Sequence, residues 1–188
     1  TEPIFEFSHV NFNYEGAHEN VLNDINLKIY PGETVAVVGS TGSGKSTLIN
    51  LIPRFYDVSS GSLKVYGKDI REYSQEDLHD LIGYVPQSGT LFSGTIRSNV
   101  KIGKDDATDK EVIEALRIAQ AMEFVNDLDE GLDANIAQGG KNFSGGQKQR
   151  LGIARAIVRE PHMYIFDDSF SALDYKTDKL LRQELNDK

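Results

Sequence analysis

The first part of the chain alternates apolar with polar residues, which is the pattern of strands that bury only one face. Residues 4–14 show this alternation and predict an antiparallel strand, and residues 21–30 show it a second time. The dipeptide Pro31-Gly32 then predicts a turn. The turn leads into residues 34–38, a short apolar and β-branched run that is typical of a buried parallel strand.

In the rest of the chain, short apolar runs typical of buried strands alternate with segments in which apolar residues recur at helical spacing. Val112, Leu116 and Ala119 share one helical face, and Thr108 and Glu111 precede them with the spacing of a capping box. We therefore expect residues 88–159 to form a helical insertion between two parts of an α/β core. The predicted elements are a helix from residue 47 that Pro53 limits or kinks, an edge strand at 63–67, a buried strand at 82–86, helices at 108–125 and 144–159, and a buried strand at 163–166.

A glycine-rich stretch between the predicted strand at 34–38 and the predicted helix at 47 carries recognisable chemistry. Residues 39–47 fit G-x-x-x-x-G-K-[ST], the pattern of a phosphate-binding loop. Glycines allow backbone N–H groups to surround phosphate oxygens, Lys45 reaches the β- and γ-phosphates, and Ser46 offers a hydroxyl group to Mg²⁺. The candidate site residues are Gly39, Ser40, Thr41, Gly42, Ser43, Gly44, Lys45, Ser46 and Thr47.

Composition and charge exclude several classes of protein. The chain has 188 residues, enough for one domain, and a formal net charge of −9, which argues against a general nucleic-acid binder. The absence of cysteine excludes disulfides and thiol catalysis. No apolar run approaches the ~20 residues of a membrane helix, so we expect any membrane-spanning part to lie elsewhere.

Two aspartates follow the apolar run at 163–166. Asp167 stands at the predicted carboxyl end of that strand, where the acidic companion of a phosphate loop orients Mg²⁺. Asp168 stands where hydrolytic enzymes of this kind keep the acid that positions or deprotonates the attacking water. A second carboxylate on the metal side, or a helix N-cap, is the alternative role for Asp168.

Residues 142–150 read N-F-S-G-G-Q-K-Q-R and place two glycines at a predicted helix N-terminus, where N–H groups can approach an anion. The alternative is structural, because Ser144 and Gln147 have the spacing of a capping box. With the phosphate loop, this stretch resembles the L-S-G-G-Q signature of ATP-binding cassette (ABC) ATPases. The resemblance covers essentially the whole chain. It implies an α/β P-loop NTPase fold with a mostly parallel core sheet, an antiparallel β-subdomain and an inserted helical subdomain.

The resemblance also implies roles for individual residues. Tyr14 matches the aromatic residue that stacks on adenine, although a surface tyrosine at a strand end is the alternative. Gln87 matches the hinge glutamine that contacts Mg²⁺ and the attacking water. Family members pack two cassettes head to tail around ATP, as homodimers or heterodimers, and residues 171–174 match the S-A-L-D loop at that interface. The signature residues implied to reach the ATP of a partner cassette are Ser144, Gly145, Gly146 and Gln147.

Residues 90–100 resemble the L-F-x-G-T-I-x-x-N segment of exporter cassettes, which lies near the contact with the membrane domain. This implies a motor domain at the cytoplasmic face of a membrane, with the transmembrane domain N-terminal in the same longer polypeptide. A soluble ABC ATPase without a transport role and a regulatory ATP-binding module without turnover are the alternatives. The acidic charge and residues 90–100 disfavour the first, whereas Asp168 keeps the second open.

Three departures from the family pattern carry expectations of their own. Asp168 replaces the usual glutamate with a side chain one methylene shorter, which predicts a slow site and one half of a heterodimer. Gln138 stands where exporters often carry the glutamate of V-G-E-x-G, and it lacks the negative charge. The family's switch histidine is expected beyond residue 188. Residues 1–188 are therefore predicted to be a nucleotide-binding domain that hydrolyses ATP weakly or not at all on its own.

Overall fold

The protein is described by a computed structural model that covers residues 2–33, 35, 44–85, 90–166 and 183–185. The chain divides into two compact units, Thr1–Leu81 and Ile82–Lys188. The elements of the first unit are β1 (Phe5–Phe12), β2 (Leu22–Ile29), α1 (Lys45–Leu51), β3 (Ser60–Val65), β4 (Lys68–Asp69) and α2 (Gln75–Leu81), with a 3-10 turn at Ile70–Glu72.

The strands of the first unit form one antiparallel sheet in the order β2-β1-β3-β4, which confirms the two strands expected at 4–14 and 21–30. The buried side chains of β1 are Phe5 and Phe7, then Val10 and Phe12, so the alternation slips by one residue between them. The backbone absorbs the extra residue at His9, whose φ is 49° and where the pairing register shifts. This bulge keeps all four apolar side chains on the buried face.

The strand expected at 63–67 begins earlier and is not an edge strand. β3 pairs with β1 on one side and with β4 on the other, so the prediction of its edge position was wrong. The chain reverses at Tyr66-Gly67, where both residues have positive φ, and the two-residue β4 forms the edge. A strand of two residues is too short to show any alternation in the sequence.

The second unit contains a parallel pair of strands and most of the helices. Its elements are β5 (Ile82–Val85), β6 (Gly94–Thr95), α3 (Ile96–Lys101), α4 (Asp109–Ile118), α5 (Met122–Asn126), β7 (Asn135–Ile136), α6 (Gly145–Ile157) and β8 (Met163–Phe166), with 3-10 turns at Gly131–Asp133 and Gln138–Gly140. β5 pairs in parallel with β8, from Ile82 opposite Met163 to Val85 opposite Phe166, which confirms the strands expected there. In β8 only Ile165 is buried and its neighbours are half-buried.

The helices between β5 and β8 pack around one apolar core. Val112, Leu116 and Ala119 are fully buried in it, which confirms the predicted face, and the Thr108–Glu111 capping box is present. The single helix predicted over 108–125 is wrong, because α4 ends at Ile118 and α5 begins at Met122. Gln120 breaks it with a φ of 62° and donates its side-chain amide to carbonyl groups of the preceding turn. That residues 88–159 form a subdomain of their own remains a prediction.

Candidate functional site

The candidate phosphate loop ends where α1 begins, and this end is described. Gly44 is the N-cap residue with φ at 90°, in the left-handed region that favours glycine. A Cβ atom here would lie 3.0 Å from both the Val21 carbonyl oxygen and the Leu22 side chain. Lys45 and Ser46 follow in the first turn of α1, which contains no acidic side chain. A helix N-terminus without carboxylates is suited to an anion.

Tyr14 lies against this first turn of α1. Its hydroxyl group is 2.7 Å from the hydroxyl group of the buried Thr47, and its ring meets Phe12 and Tyr56 edge-on at 4.9 Å and 5.4 Å between centroids. The side chain is still 38% exposed. The predicted adenine-stacking residue and the end of the phosphate loop are therefore brought together. Tyr56 was not among the predicted site residues; its sequence signal is the aromatic pair at residues 55–56, shortly after α1.

The signature stretch forms the start of α6. Ser144 is the N-cap; its Oγ accepts a hydrogen bond from the Gln147 N–H at 3.2 Å, and the Gln147 side-chain oxygen accepts one from the Ser144 N–H at 2.9 Å. The capping box is thereby confirmed. Gly145 is exposed, and a Cβ atom there would meet nothing within 4 Å. The glycine thus leaves open space beside the helix N-terminus, and the role of these residues towards a nucleotide remains a prediction.

The side chain of Arg150 links the signature turn to the break between α4 and α5. Its Nε donates to the Gly146 carbonyl oxygen at 3.2 Å and its Nη1 donates to the Gln120 carbonyl oxygen at 3.1 Å. The guanidinium group also lies 5.2 Å from the centre of the Phe124 ring. One side chain thus joins the break between α4 and α5 to the first turn of α6. An arginine one turn into a helix gives no sequence signal of such a role.

Residues 90–100, the exporter-like segment, comprise a loop that ends in the two-residue strand β6, and then most of α3. Phe92 is 51% exposed, whereas its neighbour Leu91 is buried. Asn99, only 1% exposed, holds this loop: its Oδ1 accepts from the Phe92 N–H at 2.9 Å, and its Nδ2 donates to the Phe92 and Thr95 carbonyl oxygens at 2.8 and 3.0 Å. A buried asparagine that satisfies three backbone groups fixes the conformation of a loop.

The segment with the departure at Gln138 lies immediately before the signature. Gln138 is exposed at the start of a 3-10 turn, and Gly139 and Gly140 follow with positive φ. A Cβ atom at Gly140 would lie 3.0 Å from the side chain of Leu91. The turn therefore packs closely against the exporter-like loop, and the Gln138 side chain is exposed.

Several predicted site residues lie outside the described part of the chain. These are Gly39, Ser40, Thr41, Gly42, Ser43, Gln87, Asp167 and Asp168, together with the S-A-L-D loop at 171–174 and, apart from Val35, the strand at 34–38. Within the described ranges, no group of three or more His, Cys, Asp or Glu side chains could hold a metal ion. Among the helices in those ranges, none has the length and apolar character needed to cross a bilayer.

Comparisons with known proteins give a consistent result. A family profile described as "ABC transporter" matches residues 22–171. The chain is 49% identical over 181 residues to YgaD of Bacillus subtilis strain 168, named as a candidate multidrug export ATP-binding/permease protein, with 96% of this chain and 31% of the relative covered. It is 53% identical over 177 residues to Rv1273c of Mycobacterium tuberculosis strain H37Rv, named as an ABC transporter ATP-binding protein, with 93% and 30% covered.

A solved structure matches as well. The structure of a bacterial Atm1-family ABC exporter with ATP bound superposes with a TM-score of 0.91 at 35% identity, covering 100% of this chain and 32% of the other. The fold is thus that of a P-loop ATPase domain that binds nucleotide, which confirms the expected fold class. The chain belongs to the ABC transporter family, as its signature indicated. It spans about 30% of the length of these relatives.

Proposed function

We propose that this chain is the ATP-binding and ATP-hydrolysing motor domain of an ABC exporter. The proposal depends mainly on one observation. Tyr14 is hydrogen-bonded to Thr47 and therefore lies beside the start of α1, which holds Gly44, Lys45 and Ser46. In this proposal the helix start binds the phosphates of the nucleotide, and the anchored, half-exposed ring of Tyr14 stacks on its base. Family membership and the exporter relatives support the same function.

The residues take distinct roles in this proposal. Lys45 stabilises charge on the transferring phosphoryl group, and Asp168 orients the attacking water. Ser46 fits a magnesium site because it lies exposed in the first turn of α1, and Gln87 and Asp167 are its proposed co-ligands. When bound, Mg²⁺ neutralises phosphate charge there.

The partners follow from the same proposal. A second nucleotide-binding domain packs head to tail, so that the signature of one chain closes on the ATP of the other. The open space beside Gly145 supports this contact. A transmembrane domain in the same longer polypeptide supplies the pathway, which places this domain at the cytoplasmic face of a membrane. The names of the ATP-binding/permease relatives support that arrangement.

Asp168 favours a second proposal about the site itself, that it is slow and belongs to one half of a heterodimer. The test is the ATPase rate of the full-length protein in lipid vesicles, with wild type beside Asp168→Glu. We expect a nearly silent wild type and a gain of up to ~10²-fold from the glutamate, because a carboxylate displaced by about an ångström positions water poorly. A normal wild-type rate would instead favour a homodimeric exporter.

The motor function itself is tested by Lys45→Ala in the Asp168→Glu background. We expect the ATPase rate to be lost, because the cationic group at the phosphates is removed. Lys64→Ala, which changes an exposed lysine of β3, is the matched control and should leave the rate unchanged. Tight ATP binding without turnover in Asp168→Glu as well would identify a regulatory ATP-binding module.

A further inference from the structure

The exporter-like loop is held from a second side by Arg155 of α6. Its Nη1 donates to the Thr90 carbonyl oxygen at 3.0 Å, and its Nε and Nη2 donate to the carbonyl oxygen and the Oδ1 of Asn99 at 3.2 and 3.4 Å. The guanidinium group also lies 5.6 Å from the centre of the Phe92 ring. Arg155 and Asn99 together form what we call the loop clasp.

The chemistry of the loop clasp is unusual for an arginine. The acceptors that face Arg155 are uncharged oxygens of two backbone carbonyl groups and one amide. Burial lowers the pKa of Arg155 from its ordinary value, so the protein desolvates a cation in order to make these contacts. A rigid guanidinium fork that bonds in three directions gives one fixed geometry, which a flexible lysine cannot reproduce.

A second, independent contact joins the same two elements. A Cβ atom at Gly103, just after α3, would lie 2.1 Å from the Arg155 carbonyl oxygen and 3.1 Å from the Val158 side chain. The backbone after α3 therefore touches the backbone of α6 directly, with no space for a side chain between them. The steric contact and the polar clasp meet at the same residue.

Both contacts lie at the far end of the helix that the signature begins. Ser144 caps α6, and Arg155 follows eleven positions later in the sequence, a separation of about 16 Å along a continuous helix. We infer that Arg155 is a positioning residue that makes the Phe92 loop and the signature one rigid body. A displacement of Phe92 is then carried to Ser144. This inference rests on the proposed function, in which the loop contacts the membrane domain and the signature contacts ATP.

The rigid body is tested by a distance measurement that needs no turnover. In the full-length protein, with any cysteine elsewhere replaced, spin labels are placed at Ser93→Cys and Lys148→Cys, and their distance distribution is recorded by pulsed electron paramagnetic resonance. Arg155→Met and Arg155→Lys should both broaden the distribution; the lysine variant keeps the charge and stem and guards against a failure to fold. Arg117→Met, which removes the ion pairs of Arg117 with Glu114 and Glu184, should leave the distribution unchanged.

Coupling to function is tested by a double-mutant cycle on the ATPase kcat and KM of the full-length protein in lipid vesicles. All proteins of the cycle carry Asp168→Glu, because the wild-type site is expected to turn over too slowly to be measured. In this background we expect Phe92→Ala to lower kcat, and to have at least ~3-fold less effect when Arg155→Met is also present, with KM for ATP unchanged. In the Arg117→Met background, the Phe92→Ala effect should persist in full.

An unchanged distance distribution in both Arg155 variants would overturn the rigid body. If the kcat of the double variant equals the product of the two separate effects of Phe92→Ala and Arg155→Met, the two residues act independently and the coupling is overturned. If every protein in the cycle lacks ATPase activity, the proposed function fails while the distance measurement still decides the role of Arg155.

Discussion

Replacing Asn99 by leucine tests how the exporter-like loop is held. The substitution keeps the size of the side chain but removes the acceptor for the Phe92 N–H and the donor for the Phe92 and Thr95 carbonyl oxygens. It also removes the longer hydrogen bond, 3.4 Å, that the Asn99 Oδ1 accepts from Arg155. At ~1 kcal/mol for each of the three bonds to the loop backbone, and up to ~1 kcal/mol more for the part-buried Phe92 N–H group left without a partner, the free energy of unfolding should fall by about 3–4 kcal/mol. Leucine at a buried position recovers only part of this.

The assay is urea unfolding of the domain, with hydrogen exchange as a local measurement. Exchange should accelerate first at residues 90–95, because these lose their fixed conformation before the core opens. Asn126→Leu is the matched control, since Asn126 is also helical but exposed. Its effect should stay within about 0.5 kcal/mol. A loss below 1 kcal/mol in Asn99→Leu, or one equal to the control, would refute the reasoning that Asn99 organises the loop.

Two glycines and one tyrosine give further predictions. Gly103→Ala should cost more than ~2 kcal/mol in urea unfolding, because its Cβ atom would lie 2.1 Å from the Arg155 carbonyl oxygen. Gly145→Ala should leave stability unchanged, since its Cβ atom meets nothing within 4 Å, yet should weaken ATP-dependent dimerisation by at least ~10-fold, as measured by sedimentation. Burial raises the pKa of Tyr164 from 10 to about 12, so the stability that this tyrosine contributes is complete below pH 10 and is lost as the pH rises towards 12. Tyr164→Phe should flatten that decline in a pH series of thermal unfolding.

Local sequence signals predicted the helices whose terminal N–H groups are hydrogen-bonded by side chains close in sequence. The Thr108–Glu111 and Ser144–Gln147 capping boxes need only side chains three residues apart, so their spacing is visible without any tertiary structure. The alternation in β1 was visible for the same reason. The interruption of this alternation at His9 is also visible in the sequence, as apolar residues at 5, 7, 10 and 12. The bulge at His9 is what allows all four of these side chains to lie on the buried face.

Elements that depend on contacts distant in sequence escaped prediction. The break between α4 and α5 occurs at Gln120, which has neither the freedom of glycine nor the constraint of proline, and its carbonyl group is bound by Arg150 from thirty residues away. α3 has six residues, fewer than two helical turns, and its capping box uses Ser98 instead of a glutamate or glutamine. The phosphate loop and the signature were predictable as motifs. The roles of Asn99 and Arg155 were not, because they depend on hydrogen bonds to a loop that only the folded chain brings between them.

The two interpretations of the signature stretch are compatible because they use different backbone groups. The capping box occupies the N–H groups of Ser144 and Gln147 and makes no use of those of Gly145 and Gly146, which lie between them. A helix start that satisfies its two outer groups internally is stable without a ligand, so the turn is formed before a nucleotide arrives and no ordering cost is added on binding. The absence of Cβ atoms at the two inner positions then lets an anion come close to the remaining donors. On this argument Ser144→Ala should weaken both the helix start, by about 1 kcal/mol, and the ATP-dependent association, whereas Gly145→Ala should affect only the association.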